Sequence, residues 1–227
     1  MSYDPRTIAF IGEILFPPMQ LRADLVQGVH NALFKQPALC YQSFQVAADG
    51  IHLSNMQQTP GQVSAASFKP DRLVVREELR GTTVEDFATR LVNVSTTAFE
   101  TLGIGASIGQ QFCIRSLITP KQCRNGMELL AGRLLDGGNH TLTQFGRPTQ
   151  SVGLRLAFPP VEGQPAAYQV RIESWPQDPR SLWIEVTGTF AGGIQAKDLP
   201  QVADHLYTAY QFLTGPVSEF VANYDRS

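Results

Sequence analysis

The sequence predicts an α+β fold: two tandem β-α-β-β-β-β-α units with a mainly antiparallel sheet and helices packed on one face. Three observations lead there. A strand, a helix, several strands and a helix follow one another from Thr7 to Leu102, and the same order returns from Gln110 to Tyr224. Hairpin signals such as Asp49-Gly50 separate consecutive strands. The polar residues of the later strands also fall out of phase with the apolar ones, as a sheet with one covered face requires. The units divide at residues 1–104 and 105–227 and are either two lobes or one continuous domain; at 227 residues, both options leave room for a core.

Ile8, Phe10, Ile14 and Phe16 share one side of an extended segment, with Ile11 and Leu15 on the other, which predicts a central strand covered on both faces. Pro17-Pro18 ends it. Leu21, Leu25, Val29 and Leu33 recur at helical spacing until Pro37. From Tyr41 to Asn55 the chain alternates, turns at Asp49-Gly50 and returns. Val63 to Phe68 and Leu73 to Leu79 flank the turn-former Lys69-Pro70-Asp71. Thr82 and Glu85 have capping-box spacing, and the stripe from Val84 through Phe87, Leu91, Val94 and Phe99 to Leu102 predicts a long helix ending at Gly103.

In the second unit, a strand over Phe112 to Ile118 leads to a helix starting at Thr119-Pro120 and carrying Met127, Leu130, Ala131 and Leu134. Strands are predicted over His140 to Phe145, Val152 to Phe158, Tyr168 to Trp175 and Leu182 to Phe190. Asp198 and Gln201 cap a last helix that kinks at Gly215-Pro216 and resumes through Phe220.

This duplicated β-α-β-β-β-β-α order resembles the TATA-binding-protein-like topology, a curved antiparallel saddle with helices on one face. The resemblance covers most of the chain as a pattern of elements and rests on no sequence motif. The early strand with its Phe16-Pro17-Pro18 break and the aromatic closing helix from Tyr207 to Phe220 also resemble a sporadically distributed family of uncharacterised bacterial proteins, which implies no catalytic residues.

Charge disfavours the nucleic-acid function of the first family. Net charge is −2 and lysine occurs only at positions 35, 69, 121 and 197; with a pI of about 6.1 the molecule lacks the positive field that gathers nucleic acid or anionic membrane. Hydrophobic content of 43% and charged content of 17% suit a folded chain. Cys40, Cys113 and Cys123 are too few for a disulfide framework, so a reducing cytoplasm is expected. The run from Ile8 to Phe16 is too short for a membrane span and contains Glu13.

No P-loop, G-x-S-x-G elbow or H-E-x-x-H is present. The glycines of Gly103-Ile104-Gly105-Ala106-Ser107-Ile108-Gly109 lead from helix to strand, the reverse of a phosphate-cradling loop, and read as a helix C-cap and linker. His30, His52, His140 and His205 are dispersed without ligand spacing, so no metal or cofactor is expected. His140 reads as an ordinary loop histidine and His205 as solvated. Cys123, between Lys121 and Arg124 at a helix start, invites a lowered thiol pKa but has no partner base.

The candidate site is a polar sheet face. Arg115, Arg155, Gln169, Arg171, Glu173, Trp183 and Glu185 alternate with Ile114, Leu156, Val170, Ile172 and Ile184; Arg72, Arg76 and Glu78 behave likewise in the first unit. It is either a solvated surface of ion pairs or a recognition surface whose arginines take carboxylate or phosphate while Trp183 offers a stacking plane. The leading expectation is a non-enzymatic binding or interaction protein, with a protein or small anionic ligand as partner. The alternative is a small-molecule or enzyme pocket between sheet and helices, reached by Glu13, Arg115 or Glu173. Aromatics on more than one side of the last helix also make a homodimer a reasonable expectation.

Overall fold

A computed structural model of the chain describes residues 3–135, 142 and 144–226. The elements run β1 (Arg6–Leu15), α1 (Ala23–Phe34), β2 (Ser43–Ala47), β3 (Gly50–Ser54), β4 (Val63–Lys69), β5 (Arg72–Glu78), α2 (Val84–Leu102) and β6 (Gly109–Ile118). There follow α3 (Glu128–Leu134, wound as a π-helix), β7 (Gly153–Phe158), β8 (Ala166–Ser174), β9 (Leu182–Ala191), α4 (Gln201–Phe212) and α5 (Ser218–Arg226). All nine strands form one antiparallel sheet in the order β2-β3-β4-β5-β1-β6-β9-β8-β7. The fold is therefore α+β. No helix among the described residues is long and apolar enough to cross a membrane.

The two chain segments meet where β1 pairs with β6, with Phe10 opposite Ile114 and Ile14 opposite Gln110. Phe10, Ile14, Phe16, Phe112, Ile114, Ile184 and Val186 are buried beneath α2 and α4. Phe10 stacks on Phe87 of α2 at 5.2 Å, and Tyr168 of β8 on Phe212 of α4 at 4.0 Å. Gly12 permits the close approach of α2, since a Cβ there would lie 3.0 Å from Leu91 Cδ2.

Local chemistry accounts for most boundaries. Pro70-Asp71 turns β4 into β5, with Lys69 opposite Arg72. Gly103, at φ 70°, ends α2 in the left-handed region, and the Ile104 N–H donates to the Phe99 carbonyl. Pro216 lies in a π-wound turn, Leu213–Val217, that joins α4 to α5.

Several expectations are corrected. β1 is central, but helices cover one of its faces; Ile11, Glu13 and Leu15 are half-buried on the other. The cap of α2 is Thr83, whose hydroxyl accepts from the Asp86 N–H at 3.1 Å, one residue beyond the expected pair. Residues 121–125 are bends, and α3 begins later than Thr119-Pro120 because a distant carboxylate takes the backbone amides of Lys121, Gln122 and Cys123. α4 is preceded by a short 3-10 turn, Ala196–Asp198, and neither Asp198 nor Gln201 caps it; its N-cap is Pro200. Of the strand expected over His140 to Phe145, His140, Thr141 and Thr143 lie outside the described residues; Leu142 is helical and Gln144 and Phe145 are in a turn.

Candidate functional site

Strand alternation turns Arg72, Arg76, Arg115, Arg155, Arg171, Glu173, Trp183 and Glu185 away from the helices, onto one sheet face that no described helix covers. The registers place four of them in one row. Arg155 of β7 faces Arg171 of β8, Arg171 faces Glu185 of β9, and Glu185 faces Arg115 of β6. Arg115 faces Ala9 of β1, and Ala9 faces Glu78 of β5. One row of side chains thus crosses six strands.

Its members are joined by charge. Arg115 Nε donates to Glu185 Oε2 at 2.8 Å, while Arg115 Nη1 reaches Glu78 Oε2 at 3.9 Å. That reach spans β1 above Ala9, whose methyl group leaves the space open. Arg76 also pairs with Glu78. Arg171 Nη2 donates to Glu173 Oε1 at 2.7 Å and Nη1 approaches Glu185 Oε1 at 3.5 Å. Near the other end of β5, Arg72 bridges Glu13 (3.0 Å) and Asp71 (2.9 Å). Arg155 Nη2 donates to the neutral Gln169 Oε1 at 2.9 Å and makes no ion pair among the described residues.

Depth within the row decides what a partner meets. The Glu185 and Glu78 side chains are 12% and 16% exposed, against 32% to 44% for Arg115, Arg76 and Arg171. Over Glu185 and Glu78 the guanidinium groups therefore lie outermost, while Glu173, 39% exposed, stands level with Arg171. The pKa of Arg171 is raised, first by its hydrogen bond to Glu173. Burial opposes the charge of Arg115, but the Glu185 hydrogen bond together with the electrostatic pull of Cys113, Glu185 and Glu78 outweighs it, and that pKa rises too. Cys113, on the same face, is pushed up to about 12 by burial and then by Glu185, so its thiol stays protonated.

Trp183 does not offer the free stacking plane expected of it. The Arg115 and Arg171 guanidinium carbons lie over its ring at 5.9 and 5.2 Å, so it fixes the two cations of the row. An open groove of about 450 Å³ lies at the β7–β8 end, lined by Arg155, Gln169, Arg171, Glu173 and Glu185.

Other candidates resolve differently. The Cys123 thiol is pushed up to about 11, not lowered, because it is buried and beside the Asp225 carboxylate. His205 is half-buried, stacks on Phe190 at 4.4 Å and has its Nδ1 3.1 Å from Gln110 Oε1; burial lowers its pKa. His140 lies outside the described residues. No group of three or more His, Cys, Asp or Glu that could hold a metal ion occurs among the described residues.

Sequence reasoning passed over two polar systems. Asp225, fully buried in α5, accepts from the Tyr3 hydroxyl and from the N–H groups of Lys121, Gln122 and Cys123. Glu77 sits on the helix side of β5 with Arg80 and Arg90. A charged residue in the apolar phase of Leu73 and Val75 was the available signal for the second; nothing local marks the first. No family model matches the chain, and no characterised protein matches it.

Proposed function

We propose that the protein is a non-catalytic binding or interaction protein that captures its partner on the open sheet face, at the Arg155–Arg171 end. The transverse row with its outermost guanidinium layer carries this reading. Arg155 and Arg171 stand side by side at an open sheet edge, and Arg155 lacks a carboxylate among the described residues. Half-exposed ion pairs contribute about 1 kcal/mol or less each, so such a row adds little to stability. The chemistry suits an acidic protein segment or a small anionic ligand, since guanidinium takes carboxylate in planar, bidentate fashion. A net charge of −2 argues against nucleic acid.

The same proposal includes a tandem origin with TATA-binding-protein-like topology, its units 1–104 and 105–227. Read outward from the β1–β6 pair, the order is β1-β5-β4-β3-β2 on one side and β6-β9-β8-β7 on the other. Each series begins with a strand that precedes a helix and continues through antiparallel strands in reverse chain order, which supports the repeat.

Pull-down from native lysate, with bound material identified by mass spectrometry, tests the assignment. Arg155→Ala with Arg171→Ala should leave the fold intact and abolish capture; unchanged capture removes this face from consideration.

One observation favours a small-molecule reading instead. A pocket of about 220 Å³ between β7–β8 and the α4–α5 turn is lined by Leu156, Phe158, Val170, Ile172, Phe212 and Phe220, with Pro216 and Val217. Glu13, Arg115 and Glu173 lie on the other side of the sheet, so its ligand would be apolar. Saturable thermal stabilisation by an aromatic or aliphatic compound, lost in Val170→Trp, would establish it.

A further inference from the structure

A second polar cleft, of about 340 Å³, opens on the helix side of the sheet between residues 77–82, the first turns of α2 and residues 38–39. Its chemistry is unbalanced. Glu77, 4% exposed, accepts from Ser64 Oγ at 2.7 Å and faces Arg90 Nε at 3.2 Å. Arg90 Nη2 donates to the Ala38 carbonyl at 2.7 Å, but Arg90 Nη1 is buried with no partner. The guanidinium of Arg90 lies over the ring of Tyr41, a fully buried residue whose hydroxyl finds no acceptor.

Arg80 adds a second guanidinium with still less to hold it. Its nearest carboxylate is Glu77, at 3.8 Å from Nε, beyond hydrogen-bonding range. Its side chain is 29% exposed, so solvent answers only part of its donor capacity. Two guanidinium groups therefore share one committed carboxylate, although buried donors are nearly always satisfied. What the cleft lacks is acceptors and negative charge. The exposed Asp86 on its rim balances part of the positive charge and disfavours a polyanion.

We propose that this cleft is a binding site for a small carboxylate- or phosphate-bearing ligand, held by the terminal nitrogens of Arg80 in the field of Arg90, with Thr82 and Thr89 flanking it. The volume lies at the lower end of small-molecule sites, which suits a compact ligand. The site lies across the sheet from the arginine row and does not depend on it.

The test uses the purified full chain in thermal-shift and calorimetric titrations, with inorganic phosphate as one arm, acetate and succinate as the other, and chloride at matched ionic strength as control. The expected result is saturable stabilisation by one arm. Arg80→Gln removes the charge-assisted contacts and should weaken binding about tenfold or more. Thr89→Glu, at an exposed helix position, supplies an internal carboxylate and should abolish the response; it decides the matter if Arg80→Gln does not fold. Arg180→Gln, at an exposed arginine outside both the cleft and the arginine row, should bind like the unaltered protein. The proposal is overturned if neither arm gives a saturable response, if the response survives Arg80→Gln or Thr89→Glu, or if Arg180→Gln removes it.

Discussion

Asp225 closes the molecule, and its removal has a pH signature that can be worked out beforehand. The carboxylate takes the N–H groups of Lys121 at 2.7 Å, Gln122 at 3.1 Å and Cys123 at 2.9 Å, together with the Tyr3 hydroxyl. Arg133 Nη1 secures the same stretch of α5 by donating to the Tyr224 and Asp225 carbonyls. Both ends of the chain are thereby tied to the bends before α3. Burial alone would raise the pKa of Asp225, but the Tyr3 hydroxyl and the three amides outweigh it and hold it at about 2, against the ordinary 3.8. At about 1.4 kcal/mol per tenfold change in proton affinity, that difference stabilises the ionised fold by about 2 kcal/mol. Because the folded pKa is depressed, this stability is present above pH ~4 and falls away as pH drops towards 2, with about 2 kcal/mol gone at pH ~2. Urea denaturation followed by tryptophan fluorescence between pH ~7 and ~2 measures it. Asp225→Asn presents an amide to groups that are themselves donors, and should cost about 2 to 4 kcal/mol at neutral pH. It should also flatten the acid limb of the stability curve by about 2 kcal/mol. Parallel curves for the two proteins would refute the clasp.

Gly188 of β9 has Ala209 of α4 against it, where a Cβ would lie 3.0 Å from the Ala209 Cβ and 3.2 Å from the Tyr168 ring. Gly188→Val should therefore destabilise by roughly 1 to 3 kcal/mol in the same denaturation assay, while Gly105→Ala, with open space around it, should change little. The thiols should also separate kinetically. Cys123 and Cys113 are pushed up to about 11 and about 12, so at pH ~8 an aromatic disulfide reagent should label Cys40 first; a fast phase that persists in Cys40→Ser would contradict this.

Local chemistry made most of the fold legible. Lys69-Pro70-Asp71 and Gly103 mark turns whose conformations depend on their own residues, and the stripe of α2 follows from its 3.6-residue period. The Asp49-Gly50 signal marks the right hairpin one residue late, since the loop is Ala48-Asp49 and Gly50 opens β3 opposite Ala47. The eight residues of the open face were readable because strand alternation is strict and the burial of Val170, Ile172 and Ile184 sets its phase. What failed was non-local. Residues 121–125 have the composition of a helix start, but the amides of Lys121, Gln122 and Cys123 are taken by a carboxylate more than a hundred positions later. The same contact reversed the expected direction for Cys123. His205 looked solvated on α4 because the Phe190 ring that covers it comes from β9. The α2 cap slipped by one because Thr82 and Thr83 each precede an acidic residue at the right spacing.

Glu77 and Glu78 show how one strand serves two surfaces. They are neighbours on β5, so the two-residue period sends their side chains to opposite faces: Glu78 into the arginine row, Glu77 into the cleft beneath α2. A register slip of one residue would exchange them, placing a carboxylate without Arg90 in the core and another beside Arg76 with no buried counterpart. The pairing of β5 with β1 and β4 over seven residues each, with Leu73 and Val75 in the same phase as Glu77, opposes that slip. The same apolar pattern that builds the core therefore fixes which carboxylate meets which arginine. The charge arrangement on both faces is a consequence of the hydrophobic register, and either face can be altered by substitution without re-specifying the other.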